Sequence, residues 1–144
     1  MRQRLFLSIP LLLSVLCGCG LFTAKPEAEA LVTRYFSALK SGAFQEAVPL
    51  FSEKYYQEVP KEELVKNLEK ICNKFGTLEK YQQVSFRIDA NTSRGGTLVI
   101  LVYQVKYSHY EAQETFVILK PLARGPASII SHAINSKGSS GSIV

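Results

Sequence analysis

The side chains that could do chemistry in this 144-residue chain are few: three cysteines, two histidines and one aspartate, set among seven tyrosines. An Asp or His that reaches into a cavity from a dry wall can act as a general base. Asp89 falls on the polar phase of the alternating stretch Val84 to Ala90, which favours a solvated carboxylate. His132 lies between Ser131 and Ala133, in phase with Ile130 and Ile134. It is expected to point inward as a hydrogen-bonded core histidine, with general-base work as the rival role. Asp89 and His132 are therefore the candidate catalytic residues, and neither has a partner at a spacing that compels acid–base chemistry. His109 stands at an expected turn beside Tyr110, where solvent suffices to explain it.

Tyr35, Tyr103 and Tyr107 are the candidate ligand-binding residues, because tyrosine joins a broad apolar surface to a polar tip. Ordinary core packing is the simpler account of all three. Cys72 lies in "LVKNLEKICNKF" and shares a helical face with Leu64, Leu68, Ile71 and Phe75, so it reads as a small buried hydrophobe. A reactive thiol needs an exposed, electropositive setting with a base at hand. Lys66, Lys70 and Lys74 recur every four residues and read as a solvated face; contact with anionic headgroups or cell-wall polymers is the sharper alternative. Zinc-type Cys/His spacing and a phosphate-cradling glycine loop are missing, so no metal or cofactor is implied.

Two halves of different period must position these residues. In "PEAEALVTRYFSALKSG" the apolar Ala28, Leu31, Val32, Tyr35, Phe36 and Leu39 recur at three- and four-residue steps, giving a helix with one apolar stripe. A short helix from Ala43 to Val48 is ended or kinked by Pro49. A third helix, Lys61 to Phe75, stops at Gly76. From Val84 the pattern becomes extended, with strands at 84–90, 97–107, 111–122 and 128–135 separated by turn chemistry such as "NTSRGG" and "ARGP". Helices followed by an antiparallel meander give an α+β fold, with helices on one face of a four-stranded sheet.

The first twenty residues are of another kind. Arg2 and Arg4 precede an apolar run from Leu5 to Leu16, too short for a bilayer span of about 20 residues. This is the pattern of a secretory signal peptide. Its end, Leu16-Cys17-Gly18-Cys19, resembles the bacterial lipoprotein signal, in which Leu, a variable residue and a small residue precede the modified Cys. Cys19 fits as the target, whereas Cys17 would place Leu16 at a cleavage position that accepts only small side chains. The resemblance implies a diacylglycerol thioether on Cys19, commonly with a palmitate or similar acyl chain on its amine, and so a bilayer partner. Gly20 rather than Asp then implies the outer membrane, facing the periplasm, where the host has two membranes. Residues 1–18 are the expected leader, 19–25 a lipidated tether, 26–136 the domain and 137–144 a disordered Gly/Ser-rich tail.

The stretches "RYFSALKSGAFQEAVPLFS" and "ASIISHAINS" resemble the nuclear transport factor 2-like superfamily, or cystatin-like cone. That resemblance implies a curved sheet around a cone roofed by helices. Some members are isomerases or dehydratases using an Asp or His with a Tyr donor, and others bind ligands or proteins without catalysis. The expectation here is a noncatalytic small-ligand or protein-binding module, with a small cone enzyme using Asp89 or His132 as the alternative. The formal charge of +5 includes Arg2 and Arg4 of the leader, and so small an excess does not argue for nucleic acid. In "GTLVILVYQVKY", Leu98, Ile100 and Val102 oppose Val99, Leu101 and Tyr103, and Val117, Ile118 and Leu119 repeat the pattern. An apolar outer sheet face is expected, serving a homodimer or a contact with another envelope protein.

Overall fold

The computed structural model describes residues 20–90, 93, 95–136 and 139–141. Helices come first: α1 (Gly20–Ser41), a 3-10 helix (Phe44–Leu50), α2 (Glu53–Tyr56) and α3 (Lys61–Phe75). Strands β1 (Leu78–Asp89), β2 (Gly96–Tyr107), β3 (Glu111–Pro121) and β4 (Ser128–Ser136) follow, with a three-residue β5 (Ser139–Gly141) at the end. Every strand pairs antiparallel with its chain neighbour, in the order β1-β2-β3-β4-β5. This is the α+β architecture expected, a helical layer on one face of a curved antiparallel meander.

Helix α1 follows the apolar stripe. Ala28, Leu31, Val32, Tyr35, Phe36 and Leu39 are all buried. It begins earlier than the pattern from Pro26 suggests, so residues 20–25, expected as a tether, form its first turns. Ala24, four positions before Ala28 and fully buried, extends the stripe upstream. Pro26 then lies inside the helix, where it removes one backbone bond near the start. The helix closes on Gly42 at φ 72°, with Ala43 N–H donating to Ala38 O at 3.0 Å and Gly42 N–H to Leu39 O at 3.2 Å. That crossed pair satisfies two terminal carbonyls and requires the left-handed residue.

The segment after Gly42 winds as a 3-10 helix that runs through Pro49 to Leu50. The chain then docks on the sheet: Phe51 bridges Ile129, and Ser52 N–H donates to Ile129 O at 2.9 Å. Ser52 also caps α2, its Oγ accepting from Tyr55 N–H at 3.1 Å. Helix α3 buries Leu64, Leu68, Ile71 and Phe75 of the expected face and leaves Cys72 half-buried at its margin. Its end is held against the β2–β3 turn by His109 N–H donating to Phe75 O and Ser108 N–H to Thr77 O, both at 2.9 Å.

Strand β1 starts at Leu78 rather than near Val84. Its first half, "LEKYQQ", is on an edge and mostly exposed, so it shows no apolar alternation to read. The sheet register aligns Phe86, Leu101, Phe116 and His132 in one cross-strand row on the helix side. On the outer side Leu98 is buried and Ile100, Val102, Val117 and Leu119 are half-buried; Ile118 instead turns inward and is fully buried. That face becomes polar along the strands, with Gln104, Lys106 and Gln113 exposed.

The α3–β1 junction allows no side chain at Gly76. Its φ is 86°, and a Cβ there would lie 1.9 Å from Ser108 Oγ. Gly42 has similar φ but open space around it. Gly42→Ala is expected to cost about 1 kcal/mol, and Gly76→Ala at least about 2 kcal/mol. Urea unfolding of the two variants measures both.

Candidate functional site

A buried polar cluster sits where α1, β2, β3 and β4 meet. Glu114 on β3 has no exposed surface, and His132 on β4 is 4% exposed. Glu114 occupies the inward phase with Ala112, Phe116 and Ile118, all of which are buried. Its Oε1 accepts a hydrogen bond from the Tyr107 hydroxyl at 2.5 Å, and its Oε2 lies 2.9 Å from His132 Nε2. A carboxylate taken out of water is tolerable only with such partners. The cluster reads across three adjacent strands: Tyr107, then Glu114, then His132.

Aromatic rings close around it. Phe116 stacks on the His132 ring at 4.5 Å between centroids, and Tyr35 meets the same ring edge-on at 5.1 Å. Tyr35 also contacts Phe36, Phe51 and Phe116. Phe36 carries the packing toward β1, stacking on Tyr81 at 4.2 Å and meeting Tyr103 at 5.4 Å. The Tyr103 hydroxyl donates to Gln83 Oε1 at 3.3 Å. The Tyr35 hydroxyl is buried and has no partner among the described residues.

This environment disfavours ionised tyrosine and cysteine. Burial first, then the charge of Glu114, holds the Tyr35 hydroxyl well above its ordinary range. The same two causes, with the Glu114 hydrogen bond added, do so for Tyr107. Tyr103 is pushed up to about 12, mainly by burial. Cys72 is half-buried, and burial followed by Glu114 raises its thiol. A thiol kept protonated in this way is a packing group, as its helical face implied.

The sequence candidates divide accordingly. His132, Tyr35 and Tyr107 gather around Glu114, while Tyr103 belongs to the neighbouring aromatic layer. Asp89 is elsewhere: it ends β1 and pairs with Leu98, three positions from the Leu101 that lies in His132's row. Alternation puts it on the opposite sheet face, so Asp89 and His132 cannot share one site. His109 is exposed in the β2–β3 turn. Lys66, Lys70 and Lys74 are exposed along α3. Cys19 and the leader lie outside the described residues. Glu114 is the residue that sequence reasoning missed, although its phase with Ala112, Phe116 and Ile118 was the available signal. Among the described residues, no group of three or more His, Cys, Asp or Glu side chains is placed to hold a metal ion.

Outside the core, an open groove of about 470 Å³ is lined by Gln104, Glu111, Ala112, Gln113, Asn135 and Ser136. It lies at the polar end of the sheet, so any ligand there would meet amide and carboxylate groups.

No family model matches the chain. No curated protein matches it. A solved structure from Catenulispora acidiphila superposes with a TM-score of 0.57 at 15% identity, covering 80% of this chain and 92% of that chain. At that identity the likeness is one of fold alone.

The raised tyrosines set an alkaline limit. A hydroxyl whose folded pKa exceeds the unfolded value of 10.0 adds stability that is whole below pH 10 and is lost as pH climbs through the folded value, about 12 for Tyr103. Tyr35, Tyr103 and Tyr107 are therefore expected to ionise together with unfolding. Tyrosinate absorbance and circular dichroism, followed along one alkaline titration, should show the two events coincide. Ionisation of all seven tyrosines near pH 10 with the fold intact would contradict the burial described.

Proposed function

We propose that this chain is an envelope lipoprotein, acylated at Cys19 after removal of residues 1–18, whose domain is a noncatalytic module that binds a small ligand or a partner protein. The observation that carries the reading is the filled interior. His132 is packed between Phe116 and Tyr35 with its Nε2 committed to Glu114, so a substrate would have to displace core side chains to reach it. Recognition then falls to the outer surface, where the sheet offers an apolar stretch and a polar groove. The Leu16-Cys17-Gly18-Cys19 pattern supports the anchor, and with Gly20 it supports the outer membrane facing the periplasm in a two-membraned host. No helix among the described residues is long and apolar enough to cross a membrane. Helices followed by a curved antiparallel sheet support the nuclear transport factor 2-like reading of the domain. The half-buried Ile100, Val102, Val117 and Leu119 support pairing through the outer sheet face, with a second copy or another envelope protein.

One observation favours the rival reading of a small isomerase or dehydratase: the buried Tyr35 hydroxyl lacks a partner beside the Glu114–His132 pair. In that reading His132 is the base and Tyr35 the donor, with Asp89 excluded by its sheet face.

Native mass spectrometry of the mature protein, released gently from membranes, tests the proposal in one experiment. The expected chain begins at Cys19 with a thioether-linked lipid, and it carries either a retained ligand or the mass of a dimer. An unmodified N-terminus, or a chain beginning at Cys17, overturns the anchor. A bare monomer that converts a hydroxy- or oxo-substrate in a His132-dependent way overturns the noncatalytic module.

A further inference from the structure

One end of the domain exposes apolar side chains that its core does not use. Phe86 is 53% exposed, Ile88 38% and Leu122 64%. Phe86 and Ile88 lie near the end of β1, and Leu122 follows β3. Two contacts bring these segments to the start of α1, and a third ties the segments to each other. Lys25 Nζ lies 4.6 Å over the Phe86 ring. Lys120 Nζ pairs with Glu27 Oε2 at 2.7 Å. Leu122 N–H donates to Gly95 O at 3.0 Å, joining the β3–β4 connection to the β1–β2 connection.

The chain enters the domain at this same end. Helix α1 is continuous from Gly20. At about 1.5 Å per residue, Gly20 lies roughly 7–8 Å along the axis from Lys25. The residue before Gly20 is Cys19. Acyl chains on Cys19 would therefore join the domain with no flexible spacer, and the bilayer holding them would lie against Phe86, Ile88 and Leu122. The charges here do not oppose that. Lys25 and Lys120 are paired with Glu29 and Glu27, which leaves this end close to neutral.

We infer that Phe86, Ile88 and Leu122 form a membrane-contact face, seated in the headgroup–acyl boundary beside the acylated Cys19; the inference rests on the lipid-anchor reading. Large apolar side chains set beside charge-paired lysines bind a bilayer interface through the apolar area they bury there. Lysine and arginine stems run along the apolar surface while their charged ends stay among the headgroups. Seated this way, the domain stands with its strands leading away from the lipid. The β2–β3 turn is then the distal end, roughly 35 Å along β2 at about 3.3 Å per residue. The groove lined by Gln104, Gln113 and Asn135 faces away from the membrane, open to soluble partners.

The chain contains no tryptophan, so single tryptophans report depth without background. Phe86→Trp and Leu122→Trp mark the proposed face. Tyr110→Trp marks the distal turn, where the native residue is 45% exposed. All three replace exposed side chains, so the fold should tolerate them. The mature acylated variants are reconstituted into vesicles of phosphatidylethanolamine and phosphatidylglycerol, with and without bromine on the acyl chains. Phe86→Trp and Leu122→Trp emission should shift to the blue and be quenched by brominated lipid, while Tyr110→Trp emission stays unchanged. Vesicle-bound protein in which Phe86→Trp and Leu122→Trp respond no more than Tyr110→Trp would overturn the membrane-contact face and leave the anchor standing. Protein that does not float with the vesicles at all would overturn both.

Discussion

The Glu114 carboxylate, sealed from water at the centre of the sheet, constrains everything around it. Its two oxygens take their partners from different strands, Tyr107 on β2 and His132 on β4. A slip of one residue in either pairing would turn the donors to the other sheet face and leave a buried charge unpaired, at a cost of several kcal/mol. The register of three strands is thus fixed by one side chain. The helices depend on the same group at one remove. Phe75 of α3 packs on the Tyr107 ring at 5.6 Å, and Tyr35 of α1 packs on the His132 ring.

An α+β domain of this kind can spend the space between helices and sheet on a ligand or on its own stability, and here that space is packed. Tyr35, Phe36, Phe116 and His132 fill the space between α1 and the sheet with edge-on and stacked contacts. The outside of the same chain offers different chemistry at different places. The outer sheet face is apolar toward Leu98 and Leu119 and polar toward Gln104 and Gln113. The α1 end is apolar at Phe86, Ile88 and Leu122. Helix α1 links these features mechanically, since one unbroken element runs from Gly20 into the aromatic core at Tyr35 and Phe36.

The parts of the fold legible in the sequence are those in which one face is wet and the other dry. The stripe of α1, the Leu64-Leu68-Ile71-Phe75 face of α3 and the alternation of β2 from Tyr103 to Tyr107 all follow from that contrast, and so does the inward position of His132. The start of α1 was hidden because Pro26 imitates a first helical position and Ala24 is too small to mark an apolar stripe. The first half of β1 was hidden because an edge strand with polar residues on both sides has no period. β5 was hidden because Ser139, Ser140 and Gly141 include no apolar residue to mark a period. Glu114 escaped notice for a different reason. A charged residue in an apolar phase is normally read as an interruption of the pattern, and its partners, 7 residues before and 18 after, declare themselves only when the strands are laid side by side.

A structural lock and a catalytic pair respond oppositely to apolar replacement, because catalytic groups are held at a cost to stability that their removal relieves. The decisive measurement is a double-mutant cycle of Glu114→Leu and His132→Phe, read by urea unfolding of the mature domain. If the cluster holds the fold together, each single variant loses about 3 kcal/mol, and the double variant loses clearly less than the sum, because no buried charge remains unpaired. Single variants as stable as the parent or more so, with additive effects in the double variant, would contradict that account.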